Sequence, residues 1–320
     1  MSQPLVSIVI PTHNRKTMLL RLLKSIFSST YKNLEIIIVD DASHDGTSEF
    51  IRSKYSKNTK LKIIRNRSNL FAAGSRNVGF KKCRGEYIFF IDDDNVVDKN
   101  LISRLVKEFL KDPTIGELGP VNYSFLNKKK ILWARTRRNM FTSKTNQSRD
   151  LKSFEKLKNW ETDDVPNAYI VKKSVVKKFN IFFRKEYGIM YEESDYAYRI
   201  RKAGYQIRVV RDAKIYHDIE NRTPDGRIKG YMWHFMEDKR RPFVFARNRI
   251  IFHSIFSTKL EFISIITLWV WLFAIYYIYE ILFYTGVGKF SLANKISLAF
   301  AYLRGTFNGI YLIISKKKFD

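Results

Sequence analysis

From Val6 to about Val121, short apolar runs alternate with amphipathic stretches, the rhythm of β-α units feeding a largely parallel sheet. Residues 6–10, 34–39, 61–64, 87–91 and 116–121 read as strands, and 15–29, 47–55, 73–82 and 99–110 as the helices between them. Leu19, Leu22, Leu23, Ile26 and Phe27 give the first helix one apolar stripe. Polar clusters at 12–14, 40–45 and 92–95 each follow a strand. In open α/β sheets ligands bind beyond the carboxyl ends of strands, so these clusters should share one crevice.

Residues 122–165 lose the rhythm and carry eleven basic residues between Lys128 and Lys158, interspersed with Trp133, Phe141 and Trp160. The stretch suits a mobile substrate-facing insertion or a solvated surface. Order returns with a strand at 167–171, a helix at 192–203 ended by Gly204, and two short strands at 206–209 and 214–216. The C-terminal third differs. Residues 262–279 form an 18-residue run without a charge, extending to Tyr284 if Glu280 is tolerated near one end. At about 1.5 Å per residue it reaches roughly 27 Å, enough for one bilayer crossing. The last run, 291–314, is interrupted by Lys295 and Arg304 and suits either an interfacial helix or a second span, with Lys316 to Lys318 on the cytoplasmic side. Upstream, 230–252 mixes Lys239, Arg240, Arg241, Arg247 and Arg249 with Trp233, Phe235, Phe243, Phe245 and Phe252, as in an amphipathic helix on an anionic membrane surface. The expected division is a catalytic domain at 1–220, a basic connector at 221–258 and an anchor at 259–320.

Lys and Arg number 58 against 31 Asp and Glu, a formal charge of +27 that favours an anionic partner: nucleic acid, anionic lipid or a phosphorylated substrate. Cys83 is the only cysteine, which fits a reducing compartment. No basic, signal-like N-terminal segment precedes the first strand, so the N-terminal domain is expected in the cytoplasm.

The sharpest chemical signal is Asp92, Asp93 and Asp94, three carboxylates ending the apolar strand 87–91. Adjacent acids repel one another unless a cation or several donors compensate them, and hard oxygen ligands suit Mg²⁺ or Mn²⁺ bridging a diphosphate. Asp40 and Asp41 end an earlier strand in the same way. No Gly-rich phosphate loop or Gly-x-Gly-x-x-Gly follows a strand, which disfavours that route to phosphoryl transfer and dinucleotide binding.

The succession Val6-Ser-Ile-Val-Ile-Pro-Thr12-His-Asn14-Arg15, Ile36-Ile-Ile-Val-Asp40-Asp41, Gly74-Ser-Arg76-Asn77-Val-Gly79 and Gly85-Glu-Tyr-Ile-Phe-Phe-Ile-Asp-Asp-Asp resembles that of family 2 glycosyltransferases with the GT-A fold, over residues 5–250. The resemblance implies an α/β GT-A domain, Mn²⁺ or Mg²⁺ as cofactor, and a nucleotide-sugar donor of UDP, GDP or dTDP type. It implies a nucleotide-sugar pocket formed by Pro11, Thr12, Asn14, Asp41, Arg76, Asn77, Asp92 and Asp93. Asp94, Asp92 and His217 are the implied metal ligands. The family's general base falls in Tyr191-Glu192-Glu193-Ser194-Asp195, where Glu193 stands in place of the usual Asp; Glu193 and Asp195 are both candidates, and Asp195 with Arg199 also forms an i,i+4 pair. The family's Gln-x-x-Arg-Trp motif of processive synthases is missing, which implies one sugar per encounter. The hydrophobic tail resembles members acting on lipid-linked acceptors, so a lipid-linked or glycan acceptor at the cell membrane is expected, and nucleic acid is not. A polyprenyl-phosphate sugar synthase keeps the same fold with an ionised phosphate as nucleophile. A basic nucleic-acid-binding protein is the reading of a different class, and the acidic clusters oppose it.

Overall fold

The computed structural model describes residues 3–151, 160–219, 236, 238–283 and 290–315. Lys158, Trp233, Phe235, Tyr284 and Lys316 to Lys318, all used above, lie outside them. The chain divides into two compact units. The first comprises 1–137, 146–185 and 193–218; the second comprises 138–145, 186–192 and 219–320.

The first unit is built on a mixed sheet. β1 (Val6–Thr12), β2 (Leu34–Asp40), β3 (Leu61–Arg65) and β4 (Tyr87–Ile91) are parallel neighbours in the order β3-β2-β1-β4. β5 (Asn95–Val97) follows the three acids; β6 (Ile115–Ser124) and β7 (Ile131–Trp133) pair antiparallel. β8 (Ala168–Lys172) lies antiparallel between β4 and β6. β9 (Gln206–His217) runs parallel to β6 and antiparallel to β5. The two short strands expected at 206–209 and 214–216 are thus one strand, its pairing with β6 shifting between Val210 and Lys214.

Helices α1 (Lys16–Phe27), α2 (Thr47–Lys54), α3 (Phe71–Phe80), α4 (Leu101–Lys111), α5 (Lys173–Lys178) and α6 (Glu192–Lys202) complete the unit. The strands are apolar on both faces because both are covered. Val6, Ile8 and Ile10 pack with Leu19, Leu22, Leu23 and Ile26 of α1, while Val9, Ile37 and Val39 pack with Phe80 on the other side. Each such side chain contributes about 1.5–3 kcal/mol by leaving water. Gly79 lets α3 lie against the sheet, since a Cβ there would collide with Val9. As expected, Gly204 ends α6 in the left-handed region, φ +89°. This architecture brings the carboxyl ends of β1, β2 and β4 together.

The second unit contains α7 (Arg240–Phe256), α8 (Lys259–Ser264), a π-helical turn at Ile265–Trp269, α9 (Val270–Leu282) and α10 (Leu292–Ile314). Lys259–Leu282 is a continuous helical stretch of 24 residues, mean hydropathy 1.9, long and apolar enough to cross a membrane. α10 packs along α7 where Gly305 meets the backbone of Phe243 and Gly309 that of Arg247. This small-x-x-x-small approach needs no side chain at either position. α7 differs from the expected surface helix. Arg240 is exposed, but Arg249 is buried over the rings of Phe245, Phe273 and Tyr277, within 3.4 Å of the hydroxyls of Tyr191 and Tyr302. Asn248 Nδ2 donates to the carbonyls of Tyr187, Ile189 and Met190, fixing the 186–192 segment within this unit.

Candidate active site

The loop leaving β4 holds its three carboxylates by three different means. Asp92 Oδ1 accepts from Arg76 Nη2 at 2.7 Å. Asp93 is buried, accepting from Thr12 Oγ1 at 2.7 Å and from Arg15 Nη1 at 3.1 Å. Burial pushes its carboxyl above the ordinary range, against the pull of Arg15 and Thr12. Asp94 lies 3.3 Å from Arg15 Nη1 through Oδ2 and 3.3 Å from His217 Nε2 through Oδ1. Thr12 ends β1 and His217 ends β9, so strand topology alone brings residues 12, 93, 94 and 217 together. His217 pairs with Asn95 across β5, and Asp218 N donates to the Asp94 carbonyl at 2.9 Å. Burial pushes the His217 imidazole down to about 4, so the ring is neutral at pH 7.

The loops after β1 and β2 are tied together by several hydrogen bonds. Asp41 N donates to the Thr12 carbonyl at 2.8 Å, and Asp41 Oδ1 accepts from Asn66 Nδ2 and Leu70 N, both at 2.8 Å. Asn14, at φ +54°, donates through its backbone N to Ser43 Oγ and accepts at Oδ1 from His44 N. It therefore ties the loop after β1 to the loop after β2. Pro11, paired with Val39, lies one residue before Thr12 on β1. The Asn77 amide donates to the Phe183 carbonyl at 2.7 Å and accepts from Phe183 N at 2.9 Å, so it fastens α3 to the 183 segment.

Glu193 and Asp195, two residues apart on α6, have different surroundings. Asp195 is fully buried and ion-paired with Arg184 at 2.6 Å and Arg199 at 2.7 Å. Glu193 keeps 18% of its side chain exposed; its Oε1 accepts from Arg76 Nη2 at 2.8 Å and from Asn167 N at 3.0 Å. Arg76, 1% exposed, lies near the rings of Phe183 and Tyr169, 5.5 and 5.9 Å from the guanidinium carbon. One guanidinium therefore links the carboxylate of the β4 loop to the carboxylate that opens α6.

Of the expected ligands, Asp94 and His217 lie side by side while Asp92 is bonded to Arg76, and among the described residues no group of three or more His, Cys, Asp or Glu forms a metal cluster. The residues still fit a divalent cation. Arg15 already places a positive charge between Asp93 and Asp94, the His217 ring is neutral, and its buried Nδ1 has no hydrogen-bond partner among the described residues. Mg²⁺ and similar hard ions commonly take one or two protein ligands and complete their shell with substrate phosphate and water.

A family profile described as Glycosyl transferase family 2 matches residues 7–180, more than half of the chain. The chain belongs to glycosyl transferase family 2. GlyG of Streptococcus pneumoniae serotype 4, named a glycosyltransferase, is 33% identical over 115 residues, 35% of this chain and 38% of GlyG. The GalNAc(5)-diNAcBac-PP-undecaprenol beta-1,3-glucosyltransferase of Campylobacter jejuni is 31% identical over 106 residues, 33% of this chain and 34% of that protein. The matches thus span only a third to two fifths of these relatives' own lengths. The solved mannosyltransferase PcManGT from Pyrobaculum calidifontis, in complex with GDP-Man and Mn²⁺, superposes with a TM-score of 0.60 at 19% identity, covering 99% of this chain and 87% of that one. The GT-A fold expected from the resemblance is therefore present, at an identity that speaks for fold alone.

Within this family 2 site, sequence reasoning missed Arg15, Asn95, Asn167 and Trp133. Arg15 stood next to the recognised Asn14, and its one-turn reach from the start of α1 was the available signal. Trp133 packs edge-on against His217 with ring centroids 5.3 Å apart, a contact that only the β6-β7 pairing creates.

Proposed function

We propose that the chain transfers a hexose-type sugar, with inversion and one sugar per encounter, from a nucleotide-diphosphate donor to a hydroxyl of a lipid-linked or glycan acceptor. The observation that carries this reading is the Asp92-Arg76-Glu193 link, which sets a partly exposed carboxylate beside the acidic loop where a diphosphate belongs. The crevice lined by Thr12, Asn14 and Asp41 would take the nucleoside, with Asp41 meeting a base N–H. Asp94 and His217 would hold Mn²⁺ or Mg²⁺. A bound cation of this kind supplies neutralisation of the departing diphosphate.

Glu193 accepts the acceptor's hydroxyl proton while that oxygen bonds to the anomeric carbon and the bond to the diphosphate oxygen breaks, its electron pair leaving with the nucleotide. A single displacement inverts the configuration. Arg76 holds Glu193 in place, and Asp195 keeps α6 in register through its two arginines. The buried, doubly ion-paired state of Asp195 favours Glu193 as the base.

The second unit would anchor the enzyme at the cell membrane with the catalytic unit in the cytoplasm. Lys259–Leu282 supports this, as does the exposed apolar series Leu292, Ile296, Phe300, Phe307, Tyr311 and Ile314 along α10. The undecaprenol in the Campylobacter relative's name is consistent with a lipid-linked acceptor. The test is incubation with a panel of nucleotide sugars, Mn²⁺ and membrane lipid acceptors, followed by NMR of the glycosidic linkage. An anomeric configuration opposite to the donor's is expected, and retention or no transfer from any donor overturns the reading.

A further inference from the structure

Between β7 and β8 the chain passes through Val165-Pro166-Asn167-Ala168, a segment without acids, histidines or a nucleophile. Asn167 has φ +76°, and Ala168 N donates to the Pro166 carbonyl at 2.9 Å, closing a three-residue turn around it. Turns of this kind with positive φ are rare and strained for a residue with a side chain, although Asn tolerates them better than most. Such strain persists only where the surroundings over-determine it.

Those surroundings are the active-site loop and the base. Asn167 N donates to Glu193 Oε1 at 3.0 Å, and its carbonyl accepts from Asp92 N at 3.1 Å. Its side-chain amide and that of Asn95 form a reciprocal pair at 2.8 and 2.9 Å, and its Nδ2 also lies 3.3 Å from Asn122 Oδ1. Asn95 in turn donates to the Asp92 carbonyl at 3.0 Å and lies 3.2 Å from Asp94 Oδ1. A single buried residue therefore touches the carboxylate that takes the proton and, directly or through one amide, both ends of the acidic triplet.

We propose that Asn167 is the positioning residue that sets the distance between Glu193 and the Asp92–Asp94 loop, and hence between acceptor and donor. The proposal rests on the sugar-transfer reading for its catalytic meaning, but the tie itself is a property of the fold. Asn167 does not reach substrate; it acts through Asn95 and Glu193. A glycine keeps the positive φ and the backbone N–H while removing the amide pair, which makes Asn167→Gly the informative variant.

The test compares wild type, Asn167→Gly, Asn95→Ala and the double variant by transfer kinetics and by amide hydrogen exchange in the nucleotide-free protein. Displacement of a reacting group by about 1 Å costs on the order of 10²-fold, so kcat should fall about 10- to 100-fold in either single variant with donor KM changed less than about threefold. The double variant should lose no more than the worse single one, because both remove the same pair. Exchange at Asp92–Asn95 and around Glu193 should quicken in Asn167→Gly. Unchanged kcat, or a loss confined to KM, overturns the proposal. If the wild type transfers from no nucleotide sugar, the functional reading fails alone, and the exchange data still decide the tie: unchanged protection at 92–95 refutes it, and quickened exchange there upholds it.

Discussion

Glu193 Oε1 sits 2.8 Å from Nη2 of Arg76, and the same nitrogen lies 2.7 Å from Asp92, so the two carboxylates share one buried cation. Burying a guanidinium is costly unless its hydrogen bonds and charge are matched. Here the two carboxylates it meets are those that the proposed transfer needs side by side.

Glu193→Gln should lower the transfer rate by about 10²- to 10⁴-fold while nucleotide affinity stays nearly constant, since the substitution removes a proton acceptor and keeps the volume. Asp195→Asn should act on stability instead, costing about 3–5 kcal/mol by leaving Arg184 and Arg199 facing a neutral group in a buried site. Initial rates and melting curves for the two proteins separate these effects. Normal transfer by Glu193→Gln points to an ionised phosphate as the acceptor.

Arg15 places its Nη1 3.1 and 3.3 Å from Asp93 and Asp94, where a divalent ion has to compete with it. Arg15→Ala should tighten Mn²⁺ binding to the nucleotide-free protein by roughly tenfold, the effect of removing a charge-assisted contact of about 1–2 kcal/mol. Titration calorimetry reads this directly. Weaker Mn²⁺ binding in the variant contradicts the competition.

Two buried imidazoles contribute to the acid limb of stability. His217 titrates at about 4 and His253 at about 3 in the fold, against an ordinary 6.5, in each case because burial disfavours the charged ring. As pH falls below about 6.5 the unfolded chain takes up protons that the folded chain refuses. Stability present above that pH is therefore lost progressively towards pH 4, by roughly 3 kcal/mol for His217 alone. His253→Gln should flatten the curve; a denaturation midpoint that rises between pH 7 and 4.5 is the opposite result.

At the α7-α10 crossing, Gly305→Leu should disrupt the second unit, because any side chain there meets the backbone of Phe243. Loss of membrane-fraction protein with nucleotide binding retained is the expected phenotype. Equal loss of nucleotide binding means that the two units fold as one.

Strands β1, β2 and β4 were legible in the sequence because they are apolar on both faces, and the acids at their ends stood out against that background. What stayed hidden depended on pairing between distant segments. β8 inserts antiparallel beside β4, with Ala168 opposite Ile91, 77 positions later in the chain, and nothing local announces that partner. The same separation hid Asn167, although Pro-Asn before an apolar strand was a visible turn signal. Arg249 looked like a surface cation because composition alone does not show that three aromatic rings and two tyrosine hydroxyls enclose it. Gly305 and Gly309 carried a readable close-approach spacing that the charge of Arg304 obscured.

On the proposed reading, the crevice at the ends of β1, β2 and β4 binds a nucleoside diphosphate through a divalent ion held at Asp94 and His217. Thermal stabilisation by UDP, GDP and dTDP, each with Mn²⁺ or with excess EDTA, tests it most directly in the wild type and in Asp94→Asn. One nucleotide should raise the wild-type midpoint by several degrees with Mn²⁺, and that rise should vanish with EDTA and in Asp94→Asn. Stabilisation by none of the three, or equal stabilisation in EDTA, rules out metal-dependent nucleotide binding in this crevice.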